Sequence, residues 1–139
     1  MLPHLRKNPE SELQWFEALI SLARYLRTPE GCPWDREQTA ANFAKYAVEE
    51  SGEFAEACDS GDEAHMREEF GDAFFVLLAS AAAAEEEGLF TLKEALVIAH
   101  EKMVRRHDHV FGEVKAKTSE EATQAWEAAK AKEKRDSDS

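Results

Sequence analysis

Apolar residues recur along most of the chain at intervals of three and four, the spacing that places them on one face of an α-helix. Five segments show this pattern, and none shows the strict apolar–polar alternation typical of a strand. The predicted helices run from about Ser11 to Arg27, along NFAKYAVEESGEFAEACDSG to Gly61, from about Glu63 to Glu87, from Thr91 to the basic run KMVRRH, and from about Ser119 to Lys134. The pattern therefore predicts an all-α bundle of about five helices.

The third predicted helix is apolar on every side in its middle, FGDAFFVLLASAAAA. A helix of this kind is normally surrounded by protein. Because a chain of 139 residues is small, we expect part of that cover to come from a second subunit. Dimerisation would then complete the bundle.

The second predicted helix contains three acidic residues in the stretch VEESGEF. At about 100° per residue, Glu50 falls inside the sector that holds the apolar side chains of this helix. Glu49 and Glu53 lie close enough in angle for the three carboxylates to converge on one side. A carboxylate in a face that should be buried requires a partner.

The third helix carries a second acidic pair, Glu69 and Asp72, which are three residues apart and share a face. Asp72 is the one charged residue between Phe70 and Ala84, so an unpaired carboxylate there would be costly. Acidic faces are often simply solvated, and Asp72 could pair with a buried Arg or Lys. Two such pairs on consecutive helices nevertheless favour a site for a hard cation such as Mg²⁺ or Mn²⁺.

A basic cluster and an unusual loop allow two interpretations each. Lys102, Arg105 and Arg106 lie at a helix C-terminus, where cations complement the helix dipole, and the cluster by itself favours this explanation. In the alternative, Lys102 and Arg106, four residues apart on one face, hold phosphate oxygens. In the loop TPEGCPWD, Trp34 is either a buried anchor or a stacking surface for a nucleobase. Asp35 is placed to cap the helix that follows.

The length suits one domain, which we place at residues 1–134, followed by a disordered tail at 135–139. The formal net charge of −12, with 29 acidic against 17 basic residues, disfavours binding to DNA, RNA or an anionic membrane. The start of the chain lacks the apolar region of a signal peptide, and no stretch is long and apolar enough for a membrane span. We therefore expect a cytoplasmic protein whose Cys32 and Cys58 are reduced thiols.

Six motifs occur in a characteristic order between about Leu22 and Lys134: GCPWDREQT, VEESGEF, REEFGDAFFVL, EEEGLFTLKEAL, EKMVRRHDHVFG and AWEAAKAKEK. This series resembles the MazG family of nucleoside triphosphate pyrophosphohydrolases. The resemblance implies an all-α protein that forms a homodimer or a dimer of dimers. It also implies Mg²⁺-dependent hydrolysis of nucleoside triphosphates to the monophosphate and pyrophosphate, in nucleotide-pool housecleaning.

The resemblance also implies a role for particular residues. Glu50, Glu53, Glu69 and Asp72 would be ligands of Mg²⁺, with Mn²⁺ as a substitute; Glu49 would be the base or water-orienting group; Lys102, Arg105 and Arg106 would contact phosphates; and Trp34, Asp35 and Gln38 would lie near the nucleotide.

The chain departs from the family pattern at two positions. Asp108 stands where the family often has a proline, and Gly52 stands where a bulkier residue is common. Either could alter local structure, and Gly52 could permit a close approach between helices or a wider pocket. The alternative function is a non-catalytic helical dimer that binds a nucleotide or a protein partner, and the presence of Glu49 beside the four predicted ligands argues against it.

Overall fold

The computed structural model describes residues 8–138, which form seven helices and, within that range, no strand. The helices are α1 (Glu12–Tyr25), α2 (Pro33–Glu37), α3 (Ala40–Ser60), α4 (Glu63–Glu87), α5 (Leu92–Arg106), α6 (Asp108–Phe111) and α7 (Ser119–Asp138). The predicted all-α class is confirmed. The chain divides into two compact units, and the boundary between them in the sequence lies between Leu92 and Lys93. The single domain over residues 1–134 stays a prediction.

The predicted ends of the long helices agree with the observed caps. Ser11 and Gln14 form the expected capping box of α1, and Gly61 and Gly88 end α3 and α4 with φ values of 78° and 74°. These left-handed backbone angles are readily adopted by glycine, which has no Cβ to clash with the preceding carbonyl. The local cap chemistry therefore sets the residue at which α3 ends and the residue at which α4 ends.

Two short helices lie in segments that were expected to be loops. Pro33 begins α2, because proline at the first helical position lacks only an N–H group that would be unpaired there anyway. The prediction that Asp35 caps the following helix is wrong: Asp35 lies inside α2, and the Thr39 hydroxyl caps α3 by accepting from Asn42 N at 3.1 Å. Helix α6 begins at Asp108, also a first helical position, where aspartate and proline are both tolerated.

The last helix is longer than predicted. Helix α7 continues from Lys134 to Asp138, through most of the stretch expected to be a disordered tail. This stretch contains no glycine or proline, and Arg135 lies in the last turn, where a cation is favourable. Ser139 lies outside the described residues.

The first unit is built on the α3–α4 hairpin, against which α1 packs. Its core contains Ala23, Leu78 and Ala82 in one cluster, and Phe43, Ala79 and Ala83 in another. The many alanines along α4 allow its neighbours to approach closely. The core therefore lies along the second half of α4, between α1 and α3.

Three glutamates at the C-terminal end of α4 connect it to its neighbours. Negative charge is unfavourable at this end of a helix, so each carboxylate requires a donor. Glu85 accepts two hydrogen bonds from Arg24, Glu86 accepts one from Arg27, and Glu87 accepts one from the N–H of Ala40. These contacts fix α1 and the beginning of α3 against the same end of α4.

One side of α4 is not covered in the single chain. Phe70 and Leu77 are 56% and 53% exposed, whereas Leu78 and the alanines from 81 to 84 are buried. Val48 on α3 is also exposed. Helix α4 therefore has the apolar surface expected of a helix surrounded by protein, but one side of that surface is exposed in the single chain.

In the second unit, α5 and α7 are joined by a carboxylate shared between two arginines. Glu133 accepts hydrogen bonds from Arg105 at 2.7 Å and from Arg106 at 3.0 Å. The Arg106 guanidinium also lies over the ring of Trp126, 5.2 Å from its centroid. This unit is held together by charge pairing and cation–π contact more than by a deep apolar core, since α5 and α6 contain no fully buried residue.

Candidate metal centre

Glu50, Glu69 and Asp72 bring their carboxylates together where α3 faces α4. One oxygen from each of the three residues lies within 4.8 Å of the others. Glu69 and Asp72 share a face of α4 because they are one turn apart, and the short Gly61–Asp62 connection places Glu50 of α3 opposite them. The convergence of acids on two consecutive helices, which was predicted from spacing, is present in the fold.

The three carboxylates differ in exposure. Glu69 is buried at 8% exposure, Glu50 is half-buried and Asp72 is exposed. Glu50 therefore lies on the inner side of α3, as its angle on the helix predicted. The argument that Asp72 would be the buried charge of α4 is wrong, because the apolar run around it is itself uncovered at Phe70, and the charge lying beneath α3 is that of Glu69.

Two oxygens of the cluster are buried without a hydrogen-bond partner: Oε2 of Glu50 and Oε2 of Glu69. Buried carboxylate oxygens are normally paired, and leaving them unpaired is costly. The other oxygen of Glu69, Oε1, lies 3.1 Å from Nε2 of His65. Buried, unpaired carboxylate oxygens on two facing helices fit a hard divalent cation, which takes carboxylate oxygens as ligands.

The electrostatics of the cluster indicate the same need for positive charge. Burial raises the pKa of Glu50, and the nearby carboxylates of Glu53, Asp72 and Glu69 raise it further. Burial also raises the pKa of Glu69, as does the neighbouring carboxyl group of Glu53, while the hydrogen bond from His65 opposes the rise. The neighbouring carboxylates thus make Glu50 and Glu69 harder to ionise, and a bound cation would reverse that effect.

Glu53 and Glu49 lie at the edge of the cluster. Glu53 is exposed but close enough to interact with both Glu50 and Glu69. Glu49 is exposed and is not among the three residues whose oxygens converge. The structure thus brings three of the four predicted ligands together and places the fourth beside them.

The loop before α3 is ordered by contacts of its own. Trp34 packs against Phe43 and Tyr46, with ring centroids 6.0 and 5.8 Å away, and remains 49% exposed. Gln38 donates a hydrogen bond to the carbonyl of Trp34, and the carbonyl of Asp35 accepts one from Arg27. Trp34 therefore anchors the loop on α3, a turn before Glu50, without being buried, and its stacking on a nucleobase stays a prediction.

The three predicted phosphate contacts lie on α5 in the second unit. Arg105 and Arg106 are both engaged by Glu133, whose pKa they lower to about 2 through their hydrogen bonds. Lys102 is half-buried and forms none of the ion pairs found among residues 8–138. Glu133 was not predicted as their partner, because nothing in the spacing between α5 and α7 indicates which acid meets the arginines.

The fold and the site together define the class of this protein: a small all-α chain with a candidate divalent-metal site between two of its helices. Residues 38–111, more than half of the chain, match the family model described as the MazG nucleotide pyrophosphohydrolase domain. The chain belongs to the MazG family.

Individual relatives agree with this assignment. The chain is 40% identical over 119 residues to the nucleoside triphosphate pyrophosphohydrolase/pyrophosphatase MazG of Thermotoga maritima, covering 86% of this chain and 45% of that protein. It is 43% identical over 124 residues to protein YabN of Bacillus subtilis, covering 89% of this chain and 25% of that protein. A crystal structure of a mazG-related protein from Thermotoga maritima superposes with a TM-score of 0.70 at 32% identity, covering 83% of this chain and 98% of that one.

The chain spans between a quarter and a half of the length of these two curated relatives. Among the described residues, no helix combines the length and the apolar character needed to cross a membrane.

Proposed function

We propose that this protein hydrolyses nucleoside triphosphates, canonical or modified, to the nucleoside monophosphate and pyrophosphate, with Mg²⁺ held by Glu50, Glu69 and Asp72. The observation that carries the proposal is the convergence of three carboxylates with two buried, unpaired oxygens. Membership of the MazG family and the name of the Thermotoga relative support it. Mn²⁺ would substitute, because the same oxygens suit both ions.

The cluster residues bind the cation and Glu53 completes the set from the edge. Bound at these oxygens, the ion would neutralise charge that develops on the triphosphate during the reaction. Glu49 is the group best placed to handle water, since it is exposed on the same helix and is not one of the three converging ligands. Its carboxylate orients the attacking water and accepts its proton.

The reaction breaks one phosphoanhydride bond. The water oxygen forms a bond to the α-phosphorus, the bond from that phosphorus to the bridging oxygen breaks, and pyrophosphate leaves with that oxygen. The family pattern is the basis for attack at the α-phosphorus. Trp34, Asp35 and Gln38 are proposed to lie near the nucleotide, with the open side of Trp34 available to the base.

Lys102, Arg105 and Arg106 are proposed as phosphate contacts. Arginine forms paired hydrogen bonds to phosphate oxygens as it does to carboxylates. In this structure Arg105 and Arg106 already make such bonds to Glu133, so phosphate binding would exchange one anionic partner for another. Lys102 forms none of the ion pairs found among residues 8–138, so it could contact a phosphate without losing another anionic partner.

We also propose that the protein acts as a homodimer or a dimer of dimers in the cytoplasm. The outward apolar side chains of Val48, Phe70 and Leu77 support self-association, because exposed patches of this kind commonly mark interfaces. Light scattering of wild type and Leu77→Glu tests it: we expect a multiple of the 15.7 kDa chain mass for wild type and a smaller assembly for the variant.

The activity is tested by measuring pyrophosphate release from a panel of standard, deoxy and damaged nucleoside triphosphates. We expect Mg²⁺-dependent turnover by wild type and a loss of more than about 100-fold in Glu50→Gln, since removing a ligand should cost more than removing a neighbour of a ligand. Glu56→Gln, an exposed acid on the same helix outside the cluster, is the matched control.

Each negative outcome has a separate meaning. Turnover by Glu50→Gln equal to that of wild type would refute the site. The absence of turnover of every triphosphate by folded wild type would favour the alternative, a helical dimer that binds nucleotide or a protein partner without catalysis.

A further inference from the structure

His65 lies one helical turn before the buried carboxylate of Glu69, on the same face of α4. Its Nε2 is 3.1 Å from Oε1 of Glu69, and the two residues form an i,i+4 pair. The His65 side chain is 48% exposed, while that of Glu69 is 11% exposed. The imidazole is therefore partly open to solvent, while the carboxylate that it contacts is buried.

The backbone of His65 is held in place by the cap of α4. Oδ1 of Asp62 accepts hydrogen bonds from the N–H groups of Ala64 and His65, at 3.1 and 3.2 Å. The first turn of the helix is thus fixed to the α3–α4 connection. A side chain that starts from this turn has a defined direction, and here it ends at Glu69.

We infer that His65 is a positioning residue, which occupies Oε1 of Glu69 and leaves the buried Oε2 as the oxygen that binds the divalent cation. This inference rests on the proposed metal site. A carboxylate with both oxygens free can rotate or bind through either oxygen, whereas one whose outer oxygen accepts a hydrogen bond has a single orientation. Residues that hold a ligand in this way are known to contribute to metal affinity.

Helix stability alone gives a poor account of His65. Acids, and not groups that can carry positive charge, are favoured in the first turn of a helix, because its N-terminus is positive. An exposed i,i+4 ion pair adds little to the stability of a helix. The feature that distinguishes this histidine is its partner, the one buried charged residue among residues 8–138.

The test is direct measurement of metal binding by isothermal titration calorimetry with Mn²⁺ and with Mg²⁺ on the full chain. We expect His65→Leu and His65→Ala to raise the Kd about tenfold, at the lower end of effects for such residues because the side chain is half exposed. His65→Gln keeps an N–H donor at a similar reach and should bind nearly as well as wild type. His100→Leu, which removes an exposed histidine from α5, should leave the Kd unchanged.

Two further measurements distinguish a misoriented Glu69 carboxylate from a misfolded protein: the stoichiometry of metal binding, and unfolding in the presence of EDTA. All variants should remain folded, and the change should appear in Kd at constant stoichiometry. Equal Kd values for His65→Leu and wild type would overturn the inference, and so would equal weakening by Leu and Gln, because orientation by a hydrogen bond predicts rescue. If wild type binds no metal, or Glu50→Gln binds it as well as wild type does, the proposed metal site fails and the inference falls with it.

Discussion

Gly52 lies in the middle of α3 between the acids of the candidate site, and replacing it with alanine should stabilise the protein. Its φ is not in the left-handed region, and a Cβ built on it would meet no atom within 4 Å. At about 100° per residue it points roughly 200° away from Glu50. The structure thus supports neither a close helix approach nor a pocket at this position within the single chain.

The expected gain in the free energy of unfolding comes from an effect on the unfolded state. Alanine restricts the unfolded chain more than glycine does, and a compatible Gly→Ala change stabilises by about 0.4–1 kcal/mol. For a chain of this size, each 1 kcal/mol raises the unfolding midpoint by a few degrees. Gly61→Ala is the contrasting variant, because at φ 78° a side chain costs about 1–2 kcal/mol.

The assay is urea unfolding followed by circular dichroism, with EDTA present so that metal binding does not contribute. Gly52→Ala should shift the transition to higher urea with the same slope, and Gly61→Ala should shift it to lower urea. Metal affinity of Gly52→Ala should equal that of wild type. A destabilised Gly52→Ala would refute this reasoning and would indicate that the position is covered, as it could be by a second subunit.

Three further predictions concern the site, the second unit and the core. Saturating Mg²⁺ should stabilise wild type, by about 2.7 kcal/mol at 100 times the Kd, but should leave the melting midpoint of Glu50→Gln nearly unchanged; an equal shift would contradict the ligand assignment. The two arginines lower the pKa of Glu133 from 4.5 to about 2, so the stability that Glu133 gives the folded protein is complete above pH 4.5 and is lost as the pH falls towards 2. The difference in stability between wild type and Glu133→Gln, followed by acid titration of circular dichroism, should therefore shrink over that range. A constant difference would argue against the pairing. Leu78→Ala should cost about 2–5 kcal/mol in urea unfolding, because Leu78 is 5% exposed, and more than Leu77→Ala at 53% exposure; similar losses would mean that Leu77 is also covered.

Much of the candidate site was predictable because its acids are arranged by helix periodicity. Two i,i+3 pairs on consecutive helices, with strong stop signals at Gly61 and Gly88, leave few ways for the hairpin to form. The angle of Glu50 on α3 correctly predicted its inward position. Periodicity could not tell which acid of α4 would be covered, because that depends on where α3 crosses. The apolar run around Asp72 suggested that residue, whereas the structure buries Glu69.

Contacts between residues distant in sequence were not predictable. Glu133 meets Arg105 and Arg106 across 28 and 27 residues, and the three glutamates at 85–87 each find a different partner. Charged residues are frequent in this chain, so many pairings are compatible with its composition. Packing of the helices selects among them.

The amino-acid sequence by itself determined the helical class, the ends of the long helices and the set of acids from which the site is drawn, since these follow from local propensity, capping and the 3.6-residue period. The tertiary structure decided which of those acids converge, which oxygens are buried without a partner, and that His65 lies within hydrogen-bond distance of Oε1 of Glu69. The physical reason is that periodicity fixes the direction of a side chain around its own helix, whereas burial and coordination depend on the helix that packs against it.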